Sequence, residues 1–102
     1  MFRNLTGKDI TLLDGTILES ETIIPKLTKE FNDYNHETLL TTVKSIMLDD
    51  VPEPESGVII IVNANIKPYL SGRTDVAIID ECHPDIFYDE EGNILKVPCF
   101  VV

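Results

Sequence analysis

Within six residues, Asp80-Glu81-Cys82-His83-Pro84-Asp85 gathers three carboxylates, a thiol and an imidazole. All of these are metal-ligand types. A structural zinc site needs ligands paired two to four residues apart, and needs the pair twice. Here Cys82 and His83 are adjacent, and in extended chain neighbouring side chains point to opposite faces. The spacing predicts a polar loop ahead of Pro84, with metal binding as the competing reading. His36, between Asn35 and Glu37, reads as a surface histidine at a helix start, and Cys99, in an apolar run, as a buried inert thiol. No nucleophile elbow, phosphate-binding loop or dinucleotide fingerprint occurs. The chain is therefore expected to be no enzyme and to need no metal or cofactor.

A second set of residues suits recognition better than catalysis. Asn63 and Asn65 each present two donors and an acceptor, the chemistry of a base or amide edge. Arg73 offers a planar fork matched to phosphate or carboxylate. Tyr69 offers a face for stacking. With Asp75, and with Asn4 and Thr6 near the start of the chain, they form the expected ligand-binding set. A plainer reading stands beside this one. Arg73 and Asp75 can pair to order a surface turn, and Asn63 can cap a helix.

These residues must be positioned by the elements around them. Val58–Val62 (Val-Ile-Ile-Ile-Val) reads as a strand buried on both faces, as at the centre of a sheet. Val76–Ile79 reads as a second buried strand. Between them, Asn63–Tyr69 is expected to form a short helix that ends at Ser71-Gly72. Strand, crossover and strand suggest a small parallel βαβ unit, whose ligands would bind at the carboxyl ends of the strands.

Asp14-Gly15 between short apolar runs predicts a hairpin of strands near 9–13 and 16–19. Asp89–Asn93 predicts a second hairpin between 86–88 and 94–97. Leu27–Phe31 adds a short strand. Over 36–48, Leu39, Leu40, Val43, Ile46 and Met47 match helical spacing, with Asn35 as cap. Thr38, Thr41, Thr42 and Val43 favour a strand instead, and the periodicity decides for a helix. The fold class expected is α+β: one domain over 1–102, a small mixed sheet with hairpins and one βαβ crossover.

The 102 residues carry a net charge of −10. Residues 1–48 hold seven acids against five bases, while residues 49–102 hold eleven acids against three. Such a field repels nucleic acid and anionic membrane and favours a basic partner surface. No apolar run approaches the ~20 residues that span a bilayer. The opening residues lack the apolar core of a secretion signal. Cytoplasmic location with reduced thiols is the expectation.

Read in order, Asn4-Leu5-Thr6, Val51-Pro52-Glu53-Pro54, Ile61-Val62-Asn63, Arg73-Thr74-Asp75 and Asp89-Glu90-Glu91-Gly92-Asn93 run along nearly the whole chain. In this the sequence resembles small proteins of tailed bacteriophages and prophages. Those proteins open with Asn-Leu-Thr-Pro-His, carry a Leu-Pro-Glu-Pro lead-in, and close with Arg-x-Asp and a final hairpin. Gly7-Lys8 stands here in place of Pro-His, Asn63 in place of a serine, and the segment 80–86 is longer and more acidic. The resemblance implies a phage accessory factor that binds and disables a host component in the host cytoplasm. Two readings follow. One is capture of a small nucleotide-like signal that serves host defence, aided by homo-oligomerisation. The other is acidic inhibition of a host defence protein, with nucleic-acid mimicry as one form.

Overall fold

Nine short strands and one 3₁₀ turn make up the secondary structure of the computed structural model, which describes all 102 residues. The strands are β1 (Phe2–Asn4), β2 (Ile10–Thr11), β3 (Ile17–Leu18), β4 (Lys26–Phe31), β5 (Val43–Asp49), β6 (Ile59–Ile61), β7 (Val76–Ala77), β8 (Phe87–Tyr88) and β9 (Ile94–Lys96). The 3₁₀ turn spans Lys67–Leu70. No helix is long and apolar enough to cross a membrane.

The structure corrects the α+β expectation: the fold is nearly all β, and no α-helix forms. β6 and β7 do pair in parallel, Ile60 with Val76 and Ile61 with Ala77. The crossover between them holds only the 3₁₀ turn, so there is no βαβ unit. Pro68 explains this locally. It cannot donate to a preceding carbonyl, and Tyr69 N–H reaches back three residues to Ile66 C=O at 3.0 Å, not four.

The helix expected over 36–48 is also overturned: Val43–Asp49 forms β5, and 36–42 make the turn that leads into it. Asn35 does begin a helical turn. Its Oδ1 accepts from the Glu37 and Thr38 amides at 2.8 and 2.9 Å, and Leu39 N–H reaches the Asn35 carbonyl at 2.8 Å. Leu39 then takes φ 61°, a left-handed conformation that ends the turn. The β-branched run Thr41-Thr42-Val43 leads on into strand, where such side chains pack without crowding a helical turn.

β6 is the centre of a three-stranded parallel sheet ordered β1-β6-β7. Its alternating side chains feed two apolar layers. Ile60 and Val62 pack with Leu5, Ile66 and Val76 on one face. Ile61, wholly buried, packs with Ile10 and Val97 on the other. The sequence pattern of a strand buried on both faces is thus accounted for. The two hairpins form at Asp14-Gly15 and at Asp89–Asn93. Gly15 (φ 89°) and Gly92 (φ 85°) supply the left-handed positions. They close the second apolar layer, with Leu12 bridging Val97.

β4 and β5 stand apart. They pair only with each other, antiparallel, with a bulge at Glu30/Phe31. Between residues 26 and 49 only Leu27 and Leu48 are even half-buried, packed at the edge of the first apolar layer. The rest projects as an arm. The radius of gyration, 16.5 Å, records it, since a globular domain of this length has about 13 Å.

Candidate functional site

Because β1, β6 and β7 run parallel, the segments that follow them emerge at one end of the sheet. Thr6–Asp9 follows β1, Asn63 and Ala64 follow β6, and Ile78–Cys82 follow β7. Together with Gly92–Leu95 from the last hairpin they enclose a cleft of about 800 Å³. Its floor is apolar: Ile10, Val62, Ile78, Ile79 and Val97. Its rim carries Thr6, Lys8, Asp9, Asn63, Asp80, Glu81, Cys82 and Asn93. This is the position at which parallel sheets place their ligands, since strand ends release loops there and leave the sheet itself unchanged.

Several rim groups are already engaged. Asp9 Oδ1 accepts from Ser20 N–H, and Asp80 Oδ1 from Cys82 N–H, both at 2.9 Å. Asn63 Nδ2 donates to Thr6 C=O at 3.1 Å, tying two walls together and leaving its Oδ1 free. The side chains of Lys8 and Glu81 make no hydrogen bond within the protein, while the Asn93 side chain is turned toward the Asp89 carboxylate. The cleft therefore offers one ammonium, carboxylates and amides around a hydrophobic floor.

Of the residues expected to bind ligand, only Thr6 and Asn63 line this cleft. Asn4 lies beneath it, 3% exposed, and its side chain is fully used. Nδ2 donates to Lys8 C=O and Leu18 C=O, both at 2.8 Å, and Oδ1 accepts from Thr6 N–H and Thr6 Oγ1. It is a clamp that shapes the Thr6–Asp9 wall. Gly7 holds φ 85°, a left-handed conformation that favours glycine, and so turns the wall.

Asn65 faces a separate, shallower depression with Thr22–Leu27 and Asp50. Tyr69 is on neither surface, and the Lys29 ammonium lies over its ring at 5.5 Å. Arg73 and Asp75 precede β7, so the sheet sets them at the opposite end from the residues that follow β6. Arg73 Nε and Nη2 donate to Asp75 Oδ1 and Oδ2 at 2.9 and 2.6 Å, and Nη1 donates to Pro52 C=O at 2.7 Å. The hydrogen bonds from Arg73 hold the Asp75 carboxyl below its ordinary range, and the pairing raises the guanidinium. Arg73 fastens the Val51–Pro54 connector to the loop before β7, so its fork is spent. The chain's other arginine, Arg3, is spent likewise, gripping Glu21 with two bonds of 2.7 Å and reaching Glu55 at 3.2 Å. Arg73 and Asp75 form the pair of the plainer reading, though both side chains are mostly buried, and none of the three main pockets holds both Arg73 and Asn63.

The segment 80–85 forms a turn whose first residues reach the cleft rim. No group of three or more His, Cys, Asp or Glu is placed to hold a metal ion. His83 Nδ1 accepts from Asp85 N–H at 3.1 Å. Cys99 is exposed, contrary to the buried thiol expected, because it lies beyond β9, where only Val101 rejoins the sheet by bridging Ile78. Sequence reasoning did not name Lys8, Asp9, Glu81 or Asn93 as ligand contacts. The signal for Asp80 and Glu81 was present, since both follow a buried parallel strand. No family model, curated protein or solved structure matches the chain.

Proposed function

We propose that this is a non-enzymatic binding protein whose cleft at the carboxyl ends of the parallel strands sequesters a small nucleotide-like ligand. One observation carries the reading: Lys8, Asn63, Glu81 and Asn93 line one cleft with an apolar floor, and the side chains of Lys8 and Glu81 have no hydrogen-bond partner within the protein. Buried apolar surface with a few convergent polar groups is the usual make-up of a small-molecule site. Carboxylates on the rim suit ribose hydroxyls, which donate to them, and the asparagine amides suit a base edge. The rim holds three acids, Asp9, Asp80 and Glu81, against the single base Lys8. That balance favours a ligand rich in ribose and poor in phosphate, such as ADP-ribose, over ATP. The resemblance to phage accessory proteins supports a role in withdrawing such a signal from a host defence.

Thermal denaturation with ADP-ribose, a cyclic dinucleotide, adenosine and ATP tests this. A ligand at about a hundred times its Kd adds ~2.7 kcal/mol, which for this size raises Tm by roughly 10 °C or more. The expected order is ADP-ribose above ATP, with the rise lost in the Glu81→Ala/Asn93→Ala double variant. A flat response across the panel would overturn the reading. The second reading, acidic inhibition of a basic host protein, is favoured by the charge outside the arm: fourteen acids against five bases. It predicts binding that weakens steeply with salt.

A further inference from the structure

The arm presents an apolar face that the protomer covers only at its root. Cross-strand pairing puts Leu27 with Leu48, Lys29 with Ile46, and Phe31 with Val43 on one face of the ribbon. The face begins in the core, where Leu27 and Leu48 pack against the first apolar layer, and runs outward into solvent. Along it Ile46 is 48% exposed, Phe31 58% and Val43 43%, and at the tip Leu39 and Leu40 are 76% and 69% exposed. Lys29 shares the face, but its ammonium is turned back onto Tyr69. A two-stranded ribbon alone in water is marginally stable, so a long arm with a bare apolar face calls for a cover.

We propose that the cover is a second copy of this chain, with the two arms packed face to face about a two-fold axis. Three observations favour this occupant. First, extent: Phe31, Val43 and Ile46 on the face, with Tyr34, Leu39 and Leu40 at the tip, are each more than two-fifths exposed, a run of large apolar side chains suited to the core of one partner's ~800 Å² share of a standard interface. Second, charge: residues 26–49 hold four acids against three bases, while the rest of the chain holds fourteen against five. The arm is thus a surface on which two copies of a strongly acidic protein can meet with little repulsion. Third, length: seven residues of strand span about 24 Å. Antiparallel arms therefore hold the two acidic bodies more than two screening lengths of ~8 Å apart. The result is an isologous four-stranded sandwich in which each tip reaches the base of the other arm. This inference rests on the arm alone and is independent of the ligand proposed for the cleft.

Sedimentation velocity and light scattering on the full chain, over a wide concentration range, test it. The wild-type protein should approach about twice the 11.5 kDa chain mass, the two-fold state. Phe31→Asp should weaken association at least tenfold with an unchanged far-ultraviolet spectrum. Should Phe31→Asp fail to fold, Leu39→Ser/Leu40→Ser, confined to the exposed tip, decides in its place. Met47→Asp, on the opposite face of the ribbon, should leave the dimer intact. A wild-type protein that stays at 11.5 kDa throughout would overturn the proposal and leave the face to a different protein. Disruption by Met47→Asp as strong as by Phe31→Asp would overturn the assignment of the face.

Discussion

Ile61 and Ile46 lie in strands of one chain, and the first is 0% exposed while the second is 48% exposed. Ile61 belongs to β6, which has a strand on each edge and an apolar layer on each face. Ile46 belongs to β5, which has one partner strand and no cover beyond the root of the arm. None of the buried residues lies between 26 and 49. The two regions use similar side chains, so hydrophobicity alone did not sort them. The number of neighbours each strand acquires did. In the body apolar residues hold the fold, and in the arm they stay exposed, on the face proposed for association.

Matched substitutions should break the comparison if it is wrong. Ile61→Ala removes side-chain volume at a fully closed site and should cost about 3–5 kcal/mol, enough to unfold much of a small domain. Ile46→Ala, in dilute monomer, should change stability by less than ~0.5 kcal/mol. Chemical denaturation of both variants measures the contrast. Equal losses would mean that the arm folds back onto the body.

Asn4→Ala comes next in size. It leaves the Lys8 and Leu18 carbonyls and the Thr6 amide without their partner, for a loss of roughly 2–4 kcal/mol. It should also loosen the Thr6–Asp9 wall and weaken ligand binding in the cleft. A variant that loses stability but keeps full affinity would separate the clamp from the site.

Arg73→Ala should cost about 2 kcal/mol at neutral pH, by breaking the pair with Asp75 and freeing the Pro52 carbonyl. It should leave ligand affinity unchanged, because Arg73 does not line the cleft. The pair also sets a pH dependence. Asp75 titrates lower in the folded protein than in the unfolded chain, chiefly through its hydrogen bonds from Arg73, and Glu21 does the same beside Arg3. Their stabilisation is complete above the unfolded carboxylate range near 4 and is lost as the pH falls through the lower folded values. Acid denaturation of Arg73→Ala should therefore be shallower than that of the wild-type protein.

The smallest effect expected is on amide exchange. At low concentration the amides of β4 and β5 should open with a far smaller free energy than those of β6, whose neighbours bury it. Equal protection in dilute protein would erase the distinction between the regions.

Much of the body was legible in the sequence, because its signals are local. Val58–Val62 announced a central strand by unbroken apolar character, and Asp14-Gly15 and Asp89–Asn93 announced hairpins by their turn chemistry. Of the arm, the strand at Leu27–Phe31 was legible, but its partner was misread because Leu39, Leu40, Val43, Ile46 and Met47 carry helical spacing although no surface receives a helix there. Periodicity says which residues line a face, and only the fold says whether the face is covered. β1 went unnoticed since Phe2–Asn4 is too short to show a period, and its pairing is with residues almost sixty positions away. The site was half legible. Following the strands to their carboxyl ends led to Asn63, which lines the cleft, while the pairing of Arg73 with Asp75, open in the sequence as the plainer reading, is the one that forms.

Amide chemical-shift mapping by NMR with ADP-ribose as the probe tests most directly whether the body holds the binding cleft and the arm does not. The account predicts progressive shifts at Lys8, Asn63, Glu81 and Asn93, with Phe31–Val43 unmoved. Shifts confined to the arm, or none anywhere at saturating probe, would contradict it.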